Sequence, residues 1–162
     1  MLNLKVESYL KLIFIISLIS IISAYFIEYI LGHQPCNLCL IERIPYGISI
    51  ILIISNFLLK NNERFIILLL IITFLFSLII SLYHFGIEQG FFEESTVCGQ
   101  KNATDIISKE ELLKQLQEKT ISCKDVTFRI FGLSLTSINI LISFILTGLL
   151  TKIFISYEKN KL

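Results

Sequence analysis

Four long apolar runs limit what this chain can fold into more than any other feature of its sequence. They cover residues 12–31, 44–59, 65–85 and 130–155, and 54% of all residues are hydrophobic while only 17% are charged. A helix needs roughly 20 apolar residues, at about 1.5 Å rise each, to cross about 30 Å of hydrocarbon. The sequence therefore predicts an all-α membrane protein, in which residues 1–162 form one domain built as a bundle of four transmembrane helices.

The second run is short, and this decides where its helix begins. The run reaches only about 24 Å, and a polar turn at 60–64 follows it. We therefore expect the helix to extend backwards, so that it covers about 40–59 with a kink at Pro45. The motif CNLC, with Cys36 and Cys39, then lies at a helix N-terminus.

Four spans place both chain ends on one side of the membrane and all four cysteines on the other. The cysteine loops cover about 32–39 and 86–129. Lysine and arginine number seven on each side, but five of the seven on the cysteine side lie in the long third loop, away from the spans and beside eight acids. Since positive charges near span ends mark the cytoplasmic side, we expect cytoplasmic termini. The cysteine loops then face outward, where disulfides persist.

The third loop contains one further predicted helix. Residues 104–119 are amphipathic, with Ser108 and Glu111 as a capping box and with Leu112 and Leu116 on an apolar stripe. Two positions are open for this helix, the membrane surface and the loop's own core. The formal net charge of +1 gives no sign of a nucleic-acid partner.

The close cysteine pair is typical of a redox-active disulfide. Two cysteines separated by two residues at a helix start close a small, strained bond, and the unpaired backbone N–H groups favour the thiolate when it opens. If the helix runs through Arg43, that cation lies on the same face as Cys39, four residues earlier. We therefore predict Cys39 as the persistent thiolate.

The distant pair, Cys98 and Cys123, leaves alternatives open. These two are not a second close pair, so a zinc site is disfavoured and we predict no metal. A c-type haem is excluded as well, because its motif requires a histidine directly after the second cysteine, where this chain has Leu40. A purely structural disulfide stays open, worth about 3 to 4 kcal/mol in chain entropy. However, a second pair on the same face as a strained C-x-x-C can exchange disulfides with it, which predicts a relay.

A thiol relay in a membrane requires an electron acceptor, and the lipid phase supplies quinones. Arg43 and His84 lie near the outer ends of the second and third helices, and both suit a quinone carbonyl as hydrogen-bond donors. For His84 the alternative is an interfacial histidine in an aromatic belt. Glu42 is interpreted as an ordinary interfacial acid, and Asn139 as a contact between helices outside the site.

Three segments carry a resemblance to a known family. CNLCLIERIPY resembles the C-x-L-C-x-x-E-R-x-P-Y signature of the disulfide-bond formation protein B (DsbB) family, and YHFGIEQG and FGLSL resemble two further segments of that family. The resemblance covers nearly the whole chain. It implies a thiol:quinone oxidoreductase of the bacterial inner membrane that reoxidises a soluble, periplasmic thioredoxin-fold oxidase (DsbA-like). Electrons then pass to ubiquinone or menaquinone.

The resemblance also implies roles for individual residues. Cys98 receives the partner's thiolate in a mixed disulfide with Cys123 as its resolving mate, and Cys36 and Cys39 then accept the electrons. Cys39 faces the quinone, and Arg43 and His84 are the predicted quinone-binding residues. The chain departs from the family in having no tryptophan.

Two other classes of protein remain as alternatives. One is a non-enzymatic four-helix membrane protein whose outer loops carry structural disulfides. The other is a relative of vitamin K epoxide reductase, which is disfavoured because its C-x-x-C belongs near the last helices, whereas here the motif follows the first.

Overall fold

The structure is a computed structural model. It contains four helices that are long and apolar enough to cross a membrane. It describes residues 2–59, 63–94, 98, 122–124, 128–130 and 132–159. The predicted all-α, four-span bundle is confirmed. Its elements are α1 (Leu2–Tyr29), α2 (Asn37–Ile41), α3 (Ile44–Leu59), α4 (Glu63–Glu88), β1 (Arg129–Ile130), β2 (Leu133–Ser134) and α5 (Leu135–Lys159).

The first helix begins well before its apolar run. The sequence predicts 12–31, whereas α1 starts at Leu2, and an ion pair of 2.8 Å between Lys11 and Glu7, one turn apart, lies on the early part of the helix. The helix ends at Tyr29, shortly before Gly32, whose φ of 74° leaves the right-handed region. The polar N-terminal residues thus extend the helix beyond the apolar segment.

The second span is broken in two, and the break differs from the predicted kink at Pro45. Helix α2 ends at Ile41, a turn follows at Glu42 and Arg43, and α3 then begins. Pro45 lies in the first turn of α3, where its missing N–H group costs nothing. The CNLC motif does lie at a helix N-terminus, as predicted, because Cys36 is the N-cap of α2.

The fourth helix begins later than predicted. Residues 130–134 were expected to be helical, but β1 and β2 pair there as an antiparallel hairpin. Gly132 has a φ of 83°, which permits the tight turn between the two strands. Consequently α5 starts at Leu135.

The four spans pack around a core that α1, α3, α4 and α5 share. Phe74 and Leu146 are almost completely buried there, whereas large apolar side chains such as Ile79 and Phe144 point outward. Polar contacts also join helices inside the core: Ser49 donates to Ser17 over 2.8 Å, and Ser77 and Ser143 are 3.0 Å apart. Such small hydroxyl pairs are typical of packed membrane helices.

Both cysteine pairs lie at the same end of the bundle. Cys36, Cys98 and Cys123 are buried in one cluster with Leu38 and Ile87. We call this end of the molecule the cysteine end. The predicted amphipathic helix at 104–119 lies outside the described residues.

Candidate functional site

The close cysteine pair forms the centre of the site. The sulfur atoms of Cys36 and Cys39 are 2.7 Å apart, and neither residue is in a disulfide. Because Cys36 caps α2, its sulfur accepts a hydrogen bond of 3.3 Å from the backbone N–H of Cys39. His84 Nε2 lies 3.5 Å from the same sulfur. The hydrogen bond with Cys39, aided by His84, lowers the pKa of Cys36 from 9.0 to about 4, although burial opposes the shift.

This assignment of the thiolate differs from the sequence-based prediction. We expected Arg43 to stabilise a thiolate on Cys39, four residues before it in one helix. The turn after α2 interrupts that helix, and Arg43 instead donates to Glu28 on α1 over 2.5 Å and lies over the ring of Tyr25. The groups that stabilise a thiolate in this geometry therefore face Cys36.

His84 is held from behind by a carboxylate. Only 1% of the residue is exposed, and its Nδ1 lies 2.8 Å from Glu42 Oε1 and 3.2 Å from the hydroxyl of Thr136. Since a carboxylate accepts hydrogen bonds, the proton of the neutral ring belongs on Nδ1. Nε2 is then free to accept the proton of Cys36. Cys36 is thus the thiol, His84 the base that takes its proton, and Glu42 the carboxylate that orients the base.

The interpretation of Glu42 as an interfacial acid is wrong. The residue is buried, and its second oxygen accepts a hydrogen bond of 3.0 Å from Asn139 Nδ2. The amide of Asn139 also donates to Ser81 over 2.7 Å and accepts from the hydroxyl of Tyr46. Asn139 therefore belongs to the surroundings of the site. The sequence contained a usable signal, because an acid inside an apolar span is a functional candidate by default.

A cavity of about 310 Å³ opens beside the thiol pair. Its volume is at the lower end of the range for small-molecule sites, and such sites combine apolar walls with a few polar groups. Apolar side chains of α1 and α5 form much of its wall. The polar and sulfur-containing residues that line it are Ser20, Ser23, His33, Gln34, Cys36, Cys39, Glu42, Arg43, Tyr46, His84, Glu88, Cys123, Thr136 and Asn139. Both predicted quinone-binding residues, Arg43 and His84, are thus on one cavity.

The distant cysteines form a disulfide. Cys98 and Cys123 are bonded and buried, with their Cα atoms 5.6 Å apart. Near the bridge, the carboxylate of Glu94 accepts hydrogen bonds from the hydroxyl of Ser122 and the backbone N–H of Lys124. Cys123 also lines the cavity that Cys36 and Cys39 line. The structure therefore brings both predicted cysteine pairs to one place.

A four-span bundle with a free thiol pair against a buried histidine, and a second, bridged pair on the same cavity, defines a membrane thiol–disulfide oxidoreductase. The comparison with known families agrees with this class. The chain belongs to the family of the disulfide bond formation protein DsbB, whose family model matches residues 7–153.

One relative in another organism matches most of the length of this chain. The chain is 31% identical over 148 residues to an uncharacterized protein, RP370, of Rickettsia prowazekii (strain Madrid E), a match that covers 90% of this chain and 86% of that protein. No solved structure matches the chain.

Proposed function

We propose that this protein is a thiol:quinone oxidoreductase that sustains protein disulfide formation. It reoxidises a soluble thioredoxin-fold oxidase (DsbA-like) and passes the electrons through its two cysteine pairs to a membrane quinone, ubiquinone or menaquinone. The cavity carries this proposal, because Cys36, Cys39 and Cys123 line it together with His84. Family membership supports the proposal. In this proposal the protein lies in the bacterial inner membrane with the cysteine end in the periplasm.

The outer step exchanges one disulfide for another. A thiolate of the reduced partner attacks Cys98, which opens the bridge to Cys123 and forms a mixed disulfide. The partner's second thiol then releases the oxidised partner, and two electrons remain on the two cysteines as thiols. The position of Cys123 on the cavity supports onward exchange with the oxidised Cys36–Cys39 pair.

The inner step returns Cys36 and Cys39 from two thiols to a disulfide. The pair gives up two electrons and two protons, and a quinone in the cavity would accept the electrons and the protons. His84 Nε2 is placed to take the proton of Cys36, and Glu42 stabilises the imidazolium that results. Arg43, held by Glu28, contributes a positive charge to the cavity wall.

The cavity suits a quinone ring in chemistry as well as size. Its walls are mainly apolar, and Arg43 supplies hydrogen-bond donors of the kind that bind carbonyl oxygens. Nε2 of His84 becomes a second donor when it holds the proton of Cys36.

The test is quinone reduction by the purified protein, supplied with a reduced thioredoxin-fold partner. We expect Cys39→Ser and Cys98→Ser to abolish turnover, because each removes one pair from the series. Thr151→Ser, an exposed position on α5 away from the cavity, serves as the matched control and keeps full turnover. Full turnover in either cysteine variant would disprove the relay and leave the alternative of structural disulfides.

A further inference from the structure

The reduced thiol pair and His84 also form a set of metal-binding atoms. The two sulfurs and one ring nitrogen of His84 all lie within 4.8 Å of one another. Thiolate and imidazole together are the donors that zinc prefers. We propose that Cys36, Cys39, His84 and Glu88 bind one thiophilic divalent cation of the zinc type when the cysteines are reduced. This site goes beyond the proposed electron transfer, which requires no metal.

The distances are close to those of a tetrahedral site. With bonds of about 2.3 Å to sulfur and about 2.0 to 2.1 Å to nitrogen, neighbouring ligand atoms lie about 3.5 to 3.8 Å apart. The sulfur of Cys36 and Nε2 of His84 are already 3.5 Å apart. The two sulfurs, at 2.7 Å, must separate by about 1 Å. Cys39 is only partly buried, so its side chain has room to move.

His84 is oriented as metal-binding histidines are. Its Nδ1–H donates to the Glu42 carboxylate over 2.8 Å, which is the usual support of a histidine ligand and directs the lone pair of Nε2 toward the metal. Here that lone pair faces the sulfur of Cys36. The sulfur of Cys36 and Nε2 of His84 are therefore pre-oriented by contacts that exist without a metal, and the sulfur of Cys39 must move to join them.

Glu88 supplies an independent reason to place a cation here. It follows His84 by one helical turn, its side chain is 6% exposed, and its Oε1 is 4.0 Å from His84 Nε2. Oε1 accepts a hydrogen bond of 2.6 Å from Thr136, but Oε2 is buried and has no partner among the residues that the structure describes. A buried carboxylate oxygen without a partner is costly, and a cation bound beside it would offset that cost.

Binding depends on the redox state but transfers no electrons. When the cation binds, the proton of Cys39 and the proton that Cys36 and His84 share are released to solvent, and a disulfide cannot replace the two thiolates as ligands. Only the reduced pair therefore binds the ion. Once bound, the ion withholds both sulfurs from oxidation, so it inhibits the reoxidation of Cys36 and Cys39.

The test measures metal binding without turnover, in the full chain in detergent. Cys98→Ser and Cys123→Ser are introduced together, so that only the close pair remains, and Zn²⁺ is titrated against a chromophoric chelator. We expect one Zn²⁺ per reduced chain and none after oxidation to the disulfide. His84→Ala should lower the affinity at least about tenfold, and Glu88→Gln should lower it by a smaller factor.

His33→Ala is the matched control, because His33 lines the same cavity but lies outside the donor set. It should leave the affinity for Zn²⁺ unchanged. Co²⁺ gives a second readout: the reduced protein should show a sulfur-to-metal absorption band with tetrahedral visible bands, which His84→Ala shifts and His33→Ala does not. Disulfide formation in each variant by a small oxidant verifies that the thiol pair is intact.

Two results would overturn the proposal. One is the absence of Zn²⁺ binding by the reduced protein, and the other is an affinity and a Co²⁺ spectrum that neither His84→Ala nor Glu88→Gln changes. The outcome is separate from that of the proposed function. A protein that binds Zn²⁺ but never reduces quinone contradicts only the enzyme activity, and one that reduces quinone but ignores Zn²⁺ contradicts only the metal site.

Discussion

At the scale of single residues, Glu42 determines which way His84 presents its ring. The carboxylate accepts a hydrogen bond from the Nδ1–H group, so the opposite nitrogen faces the sulfur of Cys36. Asn139 in turn fixes the second oxygen of Glu42. One buried chain of hydrogen bonds thus connects α5 to the thiol pair, and the reactivity of Cys36 depends on residues far from it in sequence.

The pH dependence of Cys36 alkylation follows from this chain. Since the pKa of Cys36 is lowered to about 4, its thiolate persists above that pH and is lost only as pH falls through about 4. In the reduced protein with Cys98→Ser and Cys123→Ser, we expect iodoacetamide to modify Cys36 at a nearly constant rate between pH 6 and 8. Mass spectrometry distinguishes it from Cys39.

The variant His84→Gln removes the ring whose hydrogen bond and positive charge help to stabilise the Cys36 thiolate, and should move the fall in alkylation rate to higher pH. His33→Gln, at the other histidine of the cavity, should leave the profile unchanged. A rate for wild-type Cys36 that keeps rising to about pH 9, as for an ordinary thiol, would contradict the assignment of the thiolate.

Replacing Asn139 should weaken both the fold and the site. Asn139→Leu removes the hydrogen bonds to Glu42, Ser81 and Tyr46 and leaves a buried carboxylate oxygen unpaired, at a cost of about 1 to 3 kcal/mol. We expect a lower free energy of unfolding in detergent together with slower quinone reduction. Asn56→Leu is the control, because Asn56 Oδ1 is buried with no partner in the described part of the chain. Equal losses in both variants would contradict this role of Asn139.

At the scale of elements, the end of α4 is shaped by one close contact. A Cβ atom at Gly86 would overlap the ring of Phe92, which folds back over the helix and stacks on Tyr83. The backbone N–H groups of Phe91 and Phe92 both donate to the carbonyl of Gly86. The glycine thus lets the chain reverse tightly where the helix ends, directly beside His84.

Gly86→Ala should therefore displace Phe92 and destabilise the cysteine end, although alanine is the better helix former by about 1 kcal/mol. Gly47→Ala, within α3 and with open space around the added methyl group, should be neutral or stabilising. In a double-mutant cycle measured by thermal unfolding, Phe92→Ala should rescue Gly86→Ala. Additive losses would show that Phe92 is not the cause.

The elements also show which parts of the structure the sequence could predict. Hydropathy predicted four spans because lipid demands long apolar helices, and the spacing of the cysteines predicted two pairs at one end. Hydropathy does not report the rotation of a helix about its axis, so it could not show that the turn after α2 directs Glu42 inward. Hydropathy also missed the hairpin before α5, because most of its residues are apolar and continue the apolar run of the predicted helix.

At the scale of the whole molecule, the four spans place the beginning of α1 and the end of α5 opposite the cysteine end. Helix α1 runs toward the cysteine end, and α5 runs away from it. The placement of the cysteine end in the periplasm is part of the proposed function. Disulfide exchange with a soluble oxidase requires that orientation, because thiols in the bacterial cytoplasm are kept reduced.

Reporter fusions test the orientation. Alkaline phosphatase, which requires disulfides to fold, should be active when fused after Gly90 and inactive when fused after Leu58 or Lys159. Fusions of green fluorescent protein at the same three positions should give the opposite pattern. An active phosphatase at Lys159 would reverse the proposed topology.

The presence of Cys123 on the cavity wall has a thermodynamic consequence. A ligand that fills the cavity and binds the bridged and open forms of Cys98–Cys123 with different affinity must change the reduction potential of that bridge by the same free energy. For a two-electron couple, a tenfold difference in affinity corresponds to about 30 mV. The oxidising strength of the outer bridge therefore depends on what the membrane supplies to the cavity, before any electron has moved.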